Sequence, residues 1–159
     1  MDRRAAAIER VYRERYAGFR NALATVTGSH ETARDAVQEA FARALRERHR
    51  FRGEAPLEAW IFRIALRSAL EARRNGRTVP LDEAFDPAPA HPERDPELAA
   101  ALRALPPRRR LIVFLRYYAD LSYAEIAAAC GISEGTVAAA LAQAREALLR
   151  SLQPDEVNR

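Results

Sequence analysis

The sequence predicts an all-α protein built from two small helical domains that are joined by an acidic, proline-rich linker. Apolar residues recur at steps of three and four along most of the chain, which is the spacing of one face of a helix. No stretch alternates apolar and polar residues convincingly enough to predict a strand. Five of the nine prolines fall between residues 80 and 96. We therefore expect an extended linker at 80–97, with separate domains at 1–79 and 98–153.

Composition and length favour a folded protein that stays in the cytoplasm. Of the 159 residues, 48% are hydrophobic and 30% are charged, which is typical of a globular chain. Apolar runs such as Leu111–Leu115 are far below the ~20 residues of a membrane span, and no secretory signal is visible at the charged amino terminus. Cys130 is the single cysteine, so no internal disulfide can form and a reducing compartment is expected.

Charge is distributed unevenly, which favours a polyanion as a partner. All 26 basic residues are arginine, whose planar guanidinium can bind two phosphate or carboxylate oxygens at once. Residues 1–79 hold 17 Arg and 10 acidic residues, for a charge of +7, whereas residues 80–98 carry −5 and residues 99–159 carry +2. The basic block indicates nucleic acid more strongly than the modest total of +4 does.

The first domain is predicted to contain three helices. The first helix has an apolar face formed by Ile8, Tyr12, Tyr16, Phe19, Leu23 and Val26. Ser29 or Thr32 can cap the second helix, whose inner face holds Ala33, Val37, Phe41 and Ala44. After a loop, Pro56 suits the first turn of the third helix, whose inner face holds Leu57, Trp60, Ile61, Ile64, Ala65 and Ser68.

The second domain is predicted to end in a helix-turn-helix. It opens with a short helix through Leu98, Leu102 and Leu105, and a longer helix follows at residues 108–118. Ser122 and Ser133 are good caps for two further helices, and Gly131 between them suits a tight turn that needs a positive φ. The last helix directs Val137, Leu141, Leu148 and Leu152 inward. A motif of this kind can place its second helix in a DNA major groove.

Two surfaces of the first domain are candidates for binding partners. The third helix has a second face that mixes arginine with aromatic and apolar residues: Phe62, Arg63, Leu66, Arg67, Leu70, Arg73 and Arg74. Guanidinium groups bind phosphate and rings stack on unpaired bases, so this face suits a nucleic-acid strand. The alternative is an ordinary solvated basic face with Phe62 partly buried. The second helix carries an acidic and apolar patch, or simply an ordinary amphipathic face, at Asp35, Gln38, Glu39 and Phe41.

An enzyme is not supported by the sequence. His30, His49 and His91 lack metal-ligand spacing, and no glycine-rich phosphate loop is present, so neither a metal nor another cofactor is expected. Cys130 lies in the apolar turn, where a structural thiol is favoured over a nucleophile. Carboxylates are plentiful, but none forms an evident acid–base pair.

Both halves of the chain resemble one family. The strings LPPRRR, VFLR, LSYAEIA and GISEGTV, between residues 105 and 137, look like the fourth region of bacterial sigma factors of the extracytoplasmic-function (ECF) group. The strings DAVQEAF at 35–41 and WIFRIA at 60–65 resemble the second region of that group. Many regulators share the carboxy-terminal pattern, but the two regions in this order and at this chain length are specific.

The resemblance implies a protein that binds core RNA polymerase, directs it to promoters and helps to open the DNA. By similarity, the clamp helices of the largest polymerase subunit would contact Asp35, Gln38, Glu39 and Phe41. The −10 element and its melted strand would contact Arg50, Arg52, Trp60, Phe62, Arg63, Arg67, Arg73 and Arg74. The acidic linker would thread toward the active-site and RNA-exit channels of the polymerase. The family often has an anti-sigma factor as a further partner.

The helix after the turn departs from the family pattern. The family usually has a basic stretch after Gly-Thr-Val, but here residues 138–143 read AAALAQ, and no basic residue occurs between Arg116 and Arg145. Alanine can touch a thymine methyl group but donates nothing to phosphate or guanine. We therefore predict weak or unusual −35 recognition by a domain that mainly docks on the polymerase flap. The remaining candidates for −35 contact are Ser133, Glu134, Thr136, Gln143 and Arg145.

Two other functions stay open as alternatives. One is an adaptor that binds polymerase but has lost promoter selectivity, which the alanine-rich helix favours. The other is a helix-turn-helix regulator that binds duplex DNA without polymerase. Such a regulator would need a basic recognition helix, and it would not need the patch at residues 35–41.

Overall fold

Residues 2–75 and 95–153 are described by a computed structural model, with side chains described up to Arg73 in the first range. The chain divides into two compact units, residues 1–88 and 89–159. All regular secondary structure in the described ranges is helical, which confirms the predicted all-α class. Most of the linker predicted at 80–97 lies outside the described residues.

In the described part of the first unit, three helices form a bundle: α1 (Arg3–Thr27), α2 (His30–Arg46) and α3 (Leu57–Asn75). Gly28 ends α1 in the left-handed conformation at φ 73°, which glycine adopts without steric cost. Ser29 then caps α2, because its side chain accepts the Thr32 N–H at 3.1 Å. A 3-10 turn (Arg48–Arg50) and an irregular loop lead from α2 to α3.

Aromatic rings fill the centre of the first unit. Phe41 of α2 lies edge-on to Tyr12 and nearly parallel to Phe19, with centroid separations of 5.0 and 6.0 Å. Phe62 of α3 meets Phe19 edge to face at 5.1 Å. The three phenylalanines are buried, so their packing joins all three helices of the bundle.

The second unit contains α4 (Pro96–Ala104), α5 (Pro107–Val113), a π-helical continuation of α5 (Phe114–Tyr118), α6 (Tyr123–Cys130) and α7 (Glu134–Leu152). α7 packs against α4, α5 and α6. Its buried inner face consists of Val137, Leu141 and Ala144, whereas Leu152 is exposed. No single helix of the described ranges is long and apolar enough to cross a membrane; α6 and α7 meet that requirement only as a pair bent by 103°.

Two details of the sequence-based assignment need correction. α4 begins at Pro96, with Asp95 as its cap, so the end of the linker predicted at 80–97 is helical. Proline is favoured at the first position of a helix, because the backbone donor that it lacks has no partner there. Tyr12 was expected on the inner face of α1 but is 41% exposed.

Candidate functional site

The exposed face of α2 carries the acidic residues that the sequence singled out. Asp35, Gln38 and Glu39 all lie at the surface, spaced by about one helical turn. Glu39 pairs with Arg46 across 2.9 Å, and the Asp35 carboxylate lies 3.9 Å from the Arg34 guanidinium. Exposed pairs of this kind contribute ~0–1 kcal/mol, so the carboxylates can exchange these partners for others.

Phe41 does not belong to that exposed face, contrary to the prediction. It is 5% exposed because its ring points into the aromatic core beside Tyr12 and Phe19. Next to it, an apolar groove of about 520 Å³ runs between α1 and α2. Tyr12 and Leu45, each 41% exposed, are large side chains of this groove that the sequence analysis did not select. Leu45 follows Phe41 by one helical turn, so the apolar residues of α2 extend beyond those that pack in the core. This extension was the sequence signal that could have identified Leu45.

α3 presents two of the predicted arginines and buries the predicted ring. Arg63 and Arg67 are exposed one helical turn apart. Phe62, expected to stack on an unpaired base, is 0% exposed, and Leu66 is buried as well. The physical reason is that α3 packs against both α1 and α2, so its buried side is broader than a single stripe and has Phe62 at its centre.

Two further predicted residues of α3, Arg73 and Trp60, contact other parts of the first unit. Arg73 is half-buried, and its Nη1 donates to the Val26 carbonyl of α1 at 3.2 Å. Trp60 is half-buried, with its ring 5.3 Å from the Phe51 ring in the preceding loop. The side chain of Arg74 lies outside the described residues.

A basic cavity opens between the start of α1 and the loop before α3. It has a volume of about 520 Å³, and its charged lining consists of Arg3, Arg4, Arg48, His49 and Arg52. Apolar side chains complete the lining: Ala7, Ile8, Phe51 and Leu57. Arg52 was predicted as a nucleic-acid contact, whereas Arg3, Arg4 and Arg48 were missed. Arg50, also predicted, is exposed and lies 3.5 Å from the Glu47 carboxylate instead of lining the cavity.

A network at the amino terminus fixes the wall of this basic cavity. Asp2 caps α1 by accepting the Arg4 N–H at 2.9 Å, and its second carboxylate oxygen pairs with Arg48. The Arg4 guanidinium donates to the Arg48 carbonyl at 3.3 Å, and Arg48 donates to the Leu45 carbonyl at 2.6 Å. The hydrogen bond from Arg48, and then that from the Arg4 N–H, lower the pKa of Asp2 below its ordinary value. The start of α1 is therefore tied to the 3-10 turn.

The basic cavity can bind an anion that carries an apolar, flat group. Guanidinium groups are suited to phosphate oxygens, and the apolar lining with the Phe51 ring can take a base or sugar.

In the described ranges, no group of three or more His, Cys, Asp or Glu residues is placed to hold a metal ion.

The second unit contains the predicted helix-turn-helix. Ser122 and Glu125 form a reciprocal capping box at the start of α6. Gly131 forms the turn at φ 67°, and Ser133 caps α7 by accepting the Thr136 N–H at 3.1 Å. The caps and the turn thus agree with the sequence prediction.

The outer surface of α7 is poor in charge near the turn. Ala138, Ala139 and Ala142 are all exposed. The residues predicted for −35 contact are exposed too: Ser133, Glu134, Thr136, Gln143 and Arg145. Gln143 is engaged within the protein, because its Oε1 accepts from Arg109 Nη2 of α5 at 2.6 Å.

Comparison with known proteins identifies the family. The family "Sigma-70 region 2" matches residues 11–78, and the family "Sigma-70, region 4" matches residues 96–148. The ECF RNA polymerase sigma factor SigM of Mycobacterium tuberculosis is 28% identical over 151 residues, which cover 92% of this chain and 77% of that protein. The ECF RNA polymerase sigma-E factor of Escherichia coli is 35% identical over 140 residues, which cover 76% of this chain and 73% of that protein.

A solved structure resembles the chain as well. The sigma factor RpoE of Bartonella quintana, determined in complex with the anti-sigma factor NepR, is 24% identical, with a TM-score of 0.47. The similarity covers 93% of this chain and 97% of that one. The sequence matches confirm the family that the motifs of both halves predicted. This chain belongs to the ECF family of RNA polymerase sigma factors.

Proposed function

We propose that this sigma factor binds core RNA polymerase through the exposed face of α2 and binds the melted promoter strand through the arginine-rich part of the first unit. The observation that carries the proposal is that one three-helix bundle exposes two surfaces of different chemistry. The exposed carboxylates of α2 accompany the apolar side chains of Tyr12 and Leu45, whereas guanidinium groups line the basic cavity and occur on the outer side of α3. A mixed polar and apolar surface suits a protein partner, and a surface rich in guanidinium groups suits a polyanion.

The polymerase-binding surface consists of Asp35, Gln38 and Glu39, together with the apolar groove beside them. The exposed rims of that groove, Tyr12 and Leu45, replace the buried Phe41 as its apolar contacts. Large apolar side chains flanked by charges are typical of protein interfaces. The clamp helices of the largest polymerase subunit are the expected occupant.

The melted strand of the −10 element follows the basic cavity and then α3. Arg52 and His49 line the cavity, and Arg63 and Arg67 extend the positive surface along the helix. Phosphates bind the arginines, while an extruded base enters the apolar part of the cavity near Phe51. The protein acts by binding alone, in the cytoplasm, without a cofactor.

A second candidate function is an adaptor that joins the polymerase without selecting a promoter. The exposed alanines of α7 favour it, because they supply no donors to a DNA duplex. In that case the second unit serves to dock on the polymerase flap, and the anti-sigma factor that many family members have would regulate docking rather than promoter choice.

The test is reconstitution with purified core RNA polymerase, using a pool of random-sequence duplexes as template. We expect a stable holoenzyme and transcripts that start at a shared sequence. Asp35→Arg and Glu39→Arg should each abolish association, whereas Glu14→Arg, an equally large charge change at an exposed position of α1, should not. Association without promoter selection would favour the adaptor. DNA binding without any association with polymerase would overturn the proposal.

A further inference from the structure

The helix-turn-helix lacks cations of its own where a duplex would approach it. From Tyr117 to Ala144 the sequence has no basic residue and three acidic ones, Asp120, Glu125 and Glu134. Such a surface repels the phosphate backbone, which supplies much of the affinity of a protein for a duplex. Apart from Arg145, which lies beyond this stretch on α7, a cation for this surface has to come from another element of the second unit.

Arg109 of α5 supplies a guanidinium beside α7. Its Nη2 lies 2.6 Å from Gln143 Oε1. Arg109 is half-buried and Gln143 is exposed, so the guanidinium lies at the edge of the outer surface of α7. Gln143 follows Thr136 and Ala139 at steps of three and four, and these residues therefore share one face of the helix.

The neighbouring Arg108 holds the start of α5 in place. Its Nη2 donates to the carbonyl of Cys130, the last residue of α6, at 3.4 Å. A cation at a helix carboxy terminus is favourable, because the carbonyl groups there have no partner within the helix. The first turn of α5 thus contacts both helices of the motif, and Arg109 lies beside α7.

The direction of the Gln143 amide follows from the chemistry of its partner. A guanidinium has five N–H donors and no acceptor, so the amide turns its oxygen toward Arg109. The amide NH₂ group then points away from Arg109 with its donors available. Glutamine reads adenine through both its oxygen and its nitrogen. The bond to Arg109 competes for the Gln143 oxygen, so the amide nitrogen is the principal outward group.

We propose that Arg109 and Gln143 form a hydrogen-bond donor contact for the promoter duplex upstream of the −10 element, and that this contact replaces the basic residues that positions 134–144 of α7 lack. Its ligand is a hydrogen-bond acceptor of duplex DNA: a phosphate oxygen, or the O6 and N7 atoms of guanine in the major groove. The inference rests on the proposed function, in which α7 faces DNA.

The test uses holoenzyme reconstituted from core polymerase and the full chain. Random-sequence duplexes retained by the wild-type holoenzyme are sequenced, and their affinity is measured over a series of salt concentrations. Arg109→Ala removes the guanidinium. Gln143→Glu keeps the shape and the pairing with Arg109 but replaces the outward donors by a carboxylate oxygen. Arg103→Ala, at an exposed position of α4, is the control for the loss of one positive charge.

We expect Arg109→Ala and Gln143→Glu to weaken duplex binding by about 5- to 150-fold, and Arg103→Ala to leave it unchanged. If the acceptor is guanine, the two variants lose the preference for one guanine position. If it is phosphate, sequence preference is kept and the slope of log affinity against log salt falls by about one.

Gln143 is exposed, so Gln143→Glu keeps the fold and keeps the inference testable even if Arg109→Ala is destabilised. Wild-type affinity, sequence preference and salt slope in both variants would overturn the inference and leave the proposed function intact. A wild-type chain that does not join core polymerase would overturn both.

Discussion

The ring of Phe62 meets the ring of Phe19 edge to face, with the two centroids 5.1 Å apart and Phe62 fully buried. This contact holds α3 against α1 in the centre of the first bundle. An aromatic pair contributes more than its buried area alone. Phe62 therefore stabilises the bundle, and the outer side of α3 is left to Arg63 and Arg67.

Replacing Phe62 by alanine is expected to lower the free energy of unfolding by about 3–5 kcal/mol, because it leaves a cavity between α3 and α1. Arg63→Ala, at the next position but exposed, should change it by less than about 0.5 kcal/mol. Trp60 is the only tryptophan, so its fluorescence during urea unfolding reports on the first unit alone. Equal losses in the two variants would contradict the burial of Phe62.

The ion pair between Asp2 and Arg48 is expected to break at low pH. Because Arg48 and the Arg4 N–H lower the pKa of Asp2 below its ordinary value of 3.8, the pair is fully formed above pH 3.8. The pair is lost as the pH falls through the lowered pKa of Asp2 in the folded protein. An NMR titration of the Asp2 carboxyl carbon should give a midpoint below 3.8, and Arg48→Gln should raise that midpoint. An Asp2 midpoint that does not respond to Arg48→Gln would show that the pair does not form in solution.

Two glycines near the turn of the helix-turn-helix should respond oppositely to alanine. Gly131 has φ +67°, so Gly131→Ala is expected to destabilise the second unit by about 1–2 kcal/mol even though the added methyl group meets no atom within 4 Å. Gly135 lies inside α7, and its added methyl group would lie an ordinary 3.8 Å from Ser133 Oγ. Gly135→Ala should therefore stabilise the unit by about 0.5–1 kcal/mol. Hydrogen exchange of the α6 and α7 amides measures both effects, and a loss of protection in both variants would contradict the difference in backbone conformation.

Adding a cation to the exposed alanines of α7 should strengthen duplex binding. Ala139→Arg places a guanidinium on the face shared with Thr136 and Gln143, and arginine is nearly as good a helix former as alanine. A new phosphate contact should steepen the slope of log affinity against log salt by about 0.9. Ala100→Arg, at an exposed position of α4, adds the same charge elsewhere in the unit. Similar gains from both variants would mean that α7 does not face the duplex.

Local features of the fold were predictable from the sequence because they depend on neighbouring residues. The caps at Ser122 and Ser133 and the turn at Gly131 follow from residues within three or four positions of one another. The orientation of α3 was not predictable in the same way. Its periodicity indicates an apolar side, but only the positions of α1 and α2 decide that Phe62 lies at the centre of that side.

The candidate site also contains residues that a local sequence pattern identifies and residues that only the packing of distant segments brings together. Arg63 and Arg67 were selected because they lie on the second face of the third helix, whereas Arg52 was selected by similarity to the family. All three are exposed. The approach of Arg3 and Arg4 to Arg48 brings together residues more than forty positions apart, and no local pattern indicates it. The bond between Arg109 and Gln143 has the same origin, since it depends on the packing of α5 against α7.

The buried residues Val137, Leu141 and Ala144 pack α7 against the rest of the second unit. The exposed residues Thr136, Ala139 and Gln143 lie on a different face of the same helix. In the proposed complex, folding and duplex contact therefore depend on different side chains of one helix. On that proposal, copies of the factor that arise by gene duplication can diverge toward separate sets of genes through outward substitutions, with little loss of stability. An engineer can assign new promoters to the scaffold in the same way.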